Sequence, residues 1–164
     1  MLRIARLTDY ALVVLAHMVR QAHVCVHPAS DIAEATGLPQ PTVAKVLTTL
    51  CREGVLRSVR GAQGGYLLDR DPAEIRVADV IEAMEGPVAL TACAVHGTGA
   101  PCSDLESCDL AGHWPTINRA VVGALRQVSL VDLARPSHEL SLLAGRSMPP
   151  GASVPSPPLN APES

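Results

Sequence analysis

Phenylalanine is absent from this chain, which has one tryptophan and two tyrosines among its 164 residues. Its core must therefore be built from Leu, Val, Ile and Ala. Lysine is almost absent too, since Lys45 is the one lysine among 13 basic residues. No apolar run approaches the roughly 20 residues that a membrane-spanning helix needs. The cysteines number five, and an odd count rules out a complete set of internal disulfides. There is no glycine-rich nucleotide loop, no carboxylate pair and no nucleophile–base constellation, so nothing points to an enzyme. Arg3 and Arg6 precede the apolar run Ala11 to Ala16, as in a secretory leader, but Asp9 interrupts the pattern and no small-residue cleavage site follows. The expected setting is a reducing cytoplasm, where cysteines serve as metal ligands or reactive thiols more often than as disulfides.

Hydrophobic residues make up 48% of the chain, enough for a core. The formal net charge of -3 argues against a nucleic-acid partner, but its distribution argues for one. Residues 1–70 carry eight basic and five acidic side chains, a local charge of 8 - 5 = +3; residues 71–164 carry five and eleven, or 5 - 11 = -6. A basic half joined to an acidic half suggests a nucleic-acid face on one side only.

Residues 8–20 read as a helix with Thr8 or Asp9 as N-cap and Leu12, Leu15, Ala16 and Val19 on one face. A short helix around Ile32–Ala35 ends at Gly37, a natural left-handed stop. A second runs from about Pro41 to Glu53, with Val43, Val46, Leu47 and Leu50 inward. Gln40, Thr42, Ala44, Lys45, Thr48 and Thr49 then face outward. Two short strands around the glycine-rich turn 61–65 follow, which makes a β-hairpin. A hairpin directly after a helix-turn-helix is a wing. Gln40 and Lys45 suit base edges in a major groove, and Thr42 and Ser58 suit phosphates. Arg57 and Arg60 lie on the wing beside the turn glycines Gly64 and Gly65, with Arg60 placed for a minor groove or a phosphate. A further helix is expected to begin at Asp71-Pro72-Ala73 and end at Gly86-Pro87, with Val77, Val80, Ile81 and Met84 inward. From His113 onward Trp114, Ile117, Val121, Leu125, Val128 and Val131 recur at helical steps, and the broad apolar face suggests a partner copy. The fold class expected is mostly α with a small β-hairpin wing: a winged helix-turn-helix plus a long dimerisation helix. The divisions are a DNA-binding domain (1–87), a cysteine-rich loop (88–112), a dimerisation helix (113–135) and a Pro-rich disordered tail (136–164).

Between Cys93 and His113 three cysteines fall in the spacing C-x8-C-x5-C, among glycine, proline, serine and aspartate. The stretch has neither helical nor strand period and reads as a loop, which can gather thiolates that a helix would hold apart. Thiolates select iron–sulfur clusters, zinc or copper(I). A structural Cys3His zinc site would draw on His96 or His113, but the short cysteine pair usual in zinc modules is missing. Metal-free redox thiols are a further alternative. Cys25 and Cys51 read as inert buried cysteines. His17, on an apolar helix, reads as a half-buried structural residue.

The opening RLTDYALVVLAHMV, the wing segment SVRGAQGGYLL and the three-cysteine loop before a long helix together resemble the Rrf-two-type winged-helix regulators, over about residues 1–133. The likeness is to the IscR- and NsrR-like branch, and the opening MLRIARLTDYA most resembles regulators of the SUF iron–sulfur assembly operon. The resemblance implies a homodimeric transcription factor that binds a palindromic promoter site, with a 2Fe–2S or 4Fe–4S cluster controlling its affinity for DNA. It implies repression of assembly genes, with a nitric-oxide-sensing repressor as the alternative on the same scaffold. It assigns Cys93, Cys102 and Cys108 as ligands. The fourth is Asp9 on the NsrR-like pattern, reaching across from the other subunit, with His113 as the alternative. In IscR-like members a histidine follows the last cysteine by three residues, where this chain has Ala111.

Overall fold

The first helix, α1 (Arg6–Arg20), is the element against which most of the others are stacked. The computed structural model describes residues 4–21, 23–61, 63–91 and 113–135. On α1 the buried positions are Ala11, Val14, Leu15, Ala16 and Met18, while Leu12 and Val19 are half-buried. That is a rotation from the face expected. The run is apolar almost all round, so three- and four-residue steps can be drawn on more than one side. Ala5, not Thr8 or Asp9, is the N-cap residue, which places Thr8 inside the helix and buried.

The helix-turn-helix follows the sequence pattern closely. Helix α2 (Ala29–Thr36) ends at Gly37, whose φ of 68° is left-handed and open to glycine at no steric cost. Helix α3 (Gln40–Arg52) begins with proline in its first turn and buries Val43, Val46, Leu47 and Leu50. These meet Val14, Leu15 and Met18 of α1 and Ile32 of α2 in a core that holds no aromatic residue. Tyr10 and Tyr66 pack at its margin.

Strands β1 (Leu56–Val59) and β2 (Gly65–Leu68) pair antiparallel, Leu56 opposite Leu68 and Val59 opposite Gly65. The wing does not hang free. The Tyr66 carbonyl accepts from the His27 N–H at 2.8 Å, and the Tyr66 N–H donates to the His27 carbonyl at 2.9 Å. Glycine makes that approach possible, because a Cβ on Gly65 would stand 2.5 Å from the His27 carbonyl oxygen.

The helix expected from Asp71 begins later, as α4 (Val77–Glu85). Asp71 instead closes a turn, its carboxylate accepting from the Ala73 N–H at 2.8 Å. An Asp-Pro pair starts turns and helices alike, since in both the aspartate takes a backbone donor shortly ahead of it. The helical pattern read from 113 to 135 is two helices, α5 (Trp114–Gln127) and α6 (Leu130–Ala134). Val128 and Ser129 between them are extended and pair with the strand-like lead-in to α4: Val77 N–H to Val128 carbonyl at 2.9 Å, Leu130 N–H to Ile75 carbonyl at 3.0 Å. Ser129 and Asp132 close a capping box, with the Asp132 amide donating to the Ser129 hydroxyl at 3.2 Å and the Ser129 amide to the Asp132 carboxylate at 3.0 Å. The Ser129 hydroxyl also donates to that carboxylate at 2.7 Å, and this bond, then the one from the Ser129 amide, holds the Asp132 carboxyl below its ordinary range. The architecture is mostly helical with one two-stranded hairpin, as expected. No helix among the described residues is long and apolar enough to cross a membrane.

The joint between wing and helices contains histidine. His27 is 7% exposed, and its ring lines a crevice of about 200 Å3 with His17, Asp31 and Ile32. Burial, and then the neighbouring His17, push the His27 imidazole below its ordinary value; burial and then Arg20 do the same to His17. The folded chain thus binds these protons less readily than the unfolded one. The contribution that these two neutral histidines make to stability is fully present above the unfolded imidazole range, about pH 6.5, and is lost as pH falls below it. Urea unfolding should give a lower midpoint at about pH 5.5 than at about pH 7.5, and the drop should shrink in His27→Gln.

Candidate nucleic-acid interface and ligand positions

Burial of Val43, Val46, Leu47 and Leu50 turns the opposite face of α3 outward. Gln40, Ala44, Lys45 and Thr48 are exposed, and Thr42 and Thr49 are half-buried. The Gln40 and Lys45 side chains make no hydrogen bond or ion pair among the described residues, so both heads are available to a partner. Thr48 differs: its hydroxyl donates to the Ala44 carbonyl at 2.8 Å, leaving only its lone pairs. The α3 N-terminus has no side-chain cap, and the Pro39 carbonyl takes the Thr42 and Val43 amides at 2.9 and 3.1 Å.

On the wing, Arg57 pairs with Asp69 across 3.5 Å of exposed surface, whereas Arg60 has no ion pair among the described residues. Ser58 lies opposite Tyr66 and is exposed. Gly64 and Gly65 have a backbone reason to be glycine. A Cβ on Gly64 would meet the Val59 carbonyl oxygen at 2.5 Å, as one on Gly65 would meet that of His27. On the helix-turn-helix and on the wing, Lys45 and Arg60 are thus exposed and stand without a carboxylate partner among the described residues.

The expected ligand positions are placed only in part. Cys93, Cys102 and Cys108, with His96 and most of the loop 88–112, lie outside the described residues, as does the tail 136–164. Asp9 is exposed on the first turn of α1, and its carboxylate has no partner among the described residues. His113 is exposed at the N-cap of α5, and its ring makes no hydrogen bond there. Among the described residues no three His, Cys, Asp or Glu side chains form a metal site. Cys25 is exposed, contrary to the buried reading, because it sits in the bend between α1 and α2 rather than on a helix face. Cys51 is half-buried, and burial, with Asp69 adding, pushes its thiol up.

Two residues had no functional reading in the sequence. Glu85 closes α4 and accepts from the Ala5 N–H at 2.9 Å and the Thr8 hydroxyl at 2.5 Å. Asn118 of α5 holds the segment 88–90 that leads toward the cysteines, donating to the Val88 carbonyl at 3.0 Å and accepting from the Leu90 N–H at 3.1 Å. No sequence period marks either contact, because each joins segments far apart in the chain.

A helix-turn-helix packed on a leading helix and followed by a tethered hairpin defines a winged-helix protein. The family model described as "Rrf2: Iron-dependent Transcriptional regulator" matches residues 4–136, and the chain belongs to that family. It is therefore a transcriptional regulator of the Rrf2 type. The regulator IscR of Photorhabdus laumondii is 34% identical over 119 residues, covering 73% of this chain and 70% of that protein. IscR of Klebsiella pneumoniae strain 342 is 31% identical over 119 residues, covering 73% and 71%. Among solved structures, CymR, the global cysteine regulator of B. subtilis, superposes with a TM-score of 0.65 at 28% identity, covering 82% of this chain and 97% of that one. T. potens IscR shares the fold, with a TM-score of 0.58 at 23% identity and 92% and 94% coverage.

Replacing an arginine that neutralises one phosphate flattens the salt dependence of DNA binding by about 0.9 in the log–log slope. Arg60→Ala should show that change in a salt titration of duplex binding. Arg57→Ala, whose head is already engaged by Asp69, should show less.

Proposed function

We propose that this regulator is a cytoplasmic homodimer that senses an iron–sulfur cluster and represses iron–sulfur assembly (SUF) genes. The observation that carries the reading is how the described segments on either side of the three cysteines are held. Residues 86–91 follow α4 and are tied to Asn118 of α5 through Val88 and Leu90, and the chain is described again from His113 at the start of α5. The donors at those ends suit such a group: the carboxylate of Asp9 and the imidazole of His113 are exposed and uncommitted among the described residues. Cys93, Cys102 and Cys108 would supply three thiolates, with Asp9 of the other subunit as fourth ligand or His113 in its place. Bound there, a 2Fe–2S or 4Fe–4S cluster supplies a redox-labile link, and a non-cysteine ligand tunes its potential.

Dimerisation has its own support. None of the residues of α5 is buried, although Ile117, Val121 and Leu125 follow one another at helical steps. Ile117 is 44% exposed. A helix that apolar and that uncovered calls for a partner surface. The dimer would set two α3 helices on the half-sites of a palindromic operator, about one helical turn or a multiple apart. Gln40 and Lys45 would read base edges; Thr42, Ser58 and Arg60, with Arg57 and the close-packed backbone at Gly64 and Gly65 behind them, would hold phosphates.

A second reading has one observation behind it, the likeness to the cysteine regulator CymR. On it the three thiols work as a zinc clasp or as redox thiols. Anaerobic purification separates the two. The cluster reading expects visible charge-transfer bands with matching iron and sulfide, lost in Cys102→Ser. Colourless protein with stoichiometric zinc would overturn it and leave DNA binding intact; a response to nitric oxide rather than to cluster demand would change the signal alone. In the same preparation, Ile117→Asp should sediment as a monomer where the wild type sediments as a dimer.

A further inference from the structure

We propose that Glu85 is the positioning residue through which the cysteine segment is coupled to the DNA-reading helices, an inference that rests on the cluster-sensing reading above. Glu85 is the last residue of α4. A carboxylate at a helix C-terminus opposes the dipole of its own helix, whereas one at an N-terminus is favoured. Glu85 resolves this by serving α1. Ala5, the N-cap of α1, offers no side-chain acceptor, and Glu85 Oε1 accepts from its N–H at 2.9 Å. The same oxygen accepts from the hydroxyl of Thr8 at 2.5 Å. Thr8 is 1% exposed, so this buried donor is satisfied across elements that lie at opposite ends of the DNA-binding unit's sequence.

What lies on either side of this contact gives it a direction. Gly86 ends α4 with a φ of 87° and turns the chain into residues 87–91, which Asn118 ties to α5. The described chain that leads toward the cysteines thus begins next to Glu85. On the far side, Thr8 adjoins Asp9, the proposed fourth ligand, and α1 packs along α3 through Val14, Leu15 and Met18. A cavity of about 270 Å3 adjoins the contact, lined by Ile4, Ile81, Pro87, Val88 and Leu125. That space lets the start of α1 and the lead-in 86–89 shift against α4 without expelling packed side chains, which closely packed interiors otherwise resist. Coupling between two sites requires an element that both of them bias. The Glu85 contact is such an element, since it joins the segment that bears the ligands to the helix that carries α3.

The test compares operator affinity of iron-loaded and metal-free protein, using a duplex selected by the wild type from a randomised pool. The wild type should show a ratio within the range of about 5–150-fold usual for coupled sites. In Glu85→Ala, and separately in Thr8→Val, the ratio should collapse to about 2-fold or less while the metal-free affinity and the circular dichroism stay close to wild type. Thr8→Ser, which keeps the hydroxyl, and Glu85→Gln, which keeps the Oε1 acceptor, should retain the wild-type ratio. A ratio unchanged in folded Glu85→Ala and Thr8→Val would overturn the proposal. So would an equal fall in affinity of both forms, which marks a purely structural contact. A wild-type ratio of one would bring down the cluster-sensing reading first, and this inference with it.

Discussion

Four helices of this fold, α2, α3, α4 and α6, lean on one apolar helix. That helix is α1, and its Val14, Leu15 and Met18 are within 1% of full burial. With no phenylalanine to fill space, the core depends on branched aliphatic side chains meeting from several directions at once. Each such side chain, fully buried, stabilises the fold by about 1.5–3 kcal/mol over exposure, so the seam between α1 and α3 contributes more than any surface ion pair here can. The same burial fixes how α3 is turned about its axis. Its inward stripe of Val43, Val46, Leu47 and Leu50 is entirely inaccessible, which sets Gln40 and Lys45, the proposed reading residues, on the outward face.

Around that centre, short pieces of extended backbone fix the peripheral parts. His27 pairs with Tyr66 to hold the wing, and Ile75 to Val77 pairs with Val128 to Leu130 to hold α6. Buried backbone donors and acceptors must find partners, so each pairing settles two peptide segments together. The same logic explains the turn glycines. The wing can lie against His27 only where no Cβ intervenes.

The parts legible in the sequence are those governed by local rules. The stripe of α3, the stop at Gly37 and the hairpin each follow from periodicity or from one residue's conformational range. The rotation of α1 is not legible, because its apolar residues nearly encircle it. The late start of α4 is hidden because Asp71 takes the turn over the helix. The break at Val128–Ser129 has a signal that apolar spacing overrides: Ser129 and Asp132 are a capping pair in plain view. The contacts of Glu85 with Thr8 and of Asn118 with residues 88–90 are beyond any local rule. Of the expected ligand set, the three cysteines are conspicuous by spacing alone, while Asp9 enters only through family resemblance and His113 only as a neighbour of the loop.

Net charge is the wrong statistic for deciding whether such a chain meets DNA. Charges more than about 8–10 Å apart in water are largely screened at physiological salt, so a phosphate at the wing senses its neighbours and not the acidic C-terminal half. Beside α3 and the wing, two acidic side chains are already committed. Glu53 answers Arg52 and Asp69 answers Arg57, which leaves Lys45 on α3 and Arg60 at the wing tip without a carboxylate partner among the described residues. Further along, Glu82 pairs with Arg126 and Asp132 with Arg135, and the remaining acidic excess lies in the C-terminal half. An overall charge of -3 is thus compatible with locally unpaired cations at Lys45 and Arg60.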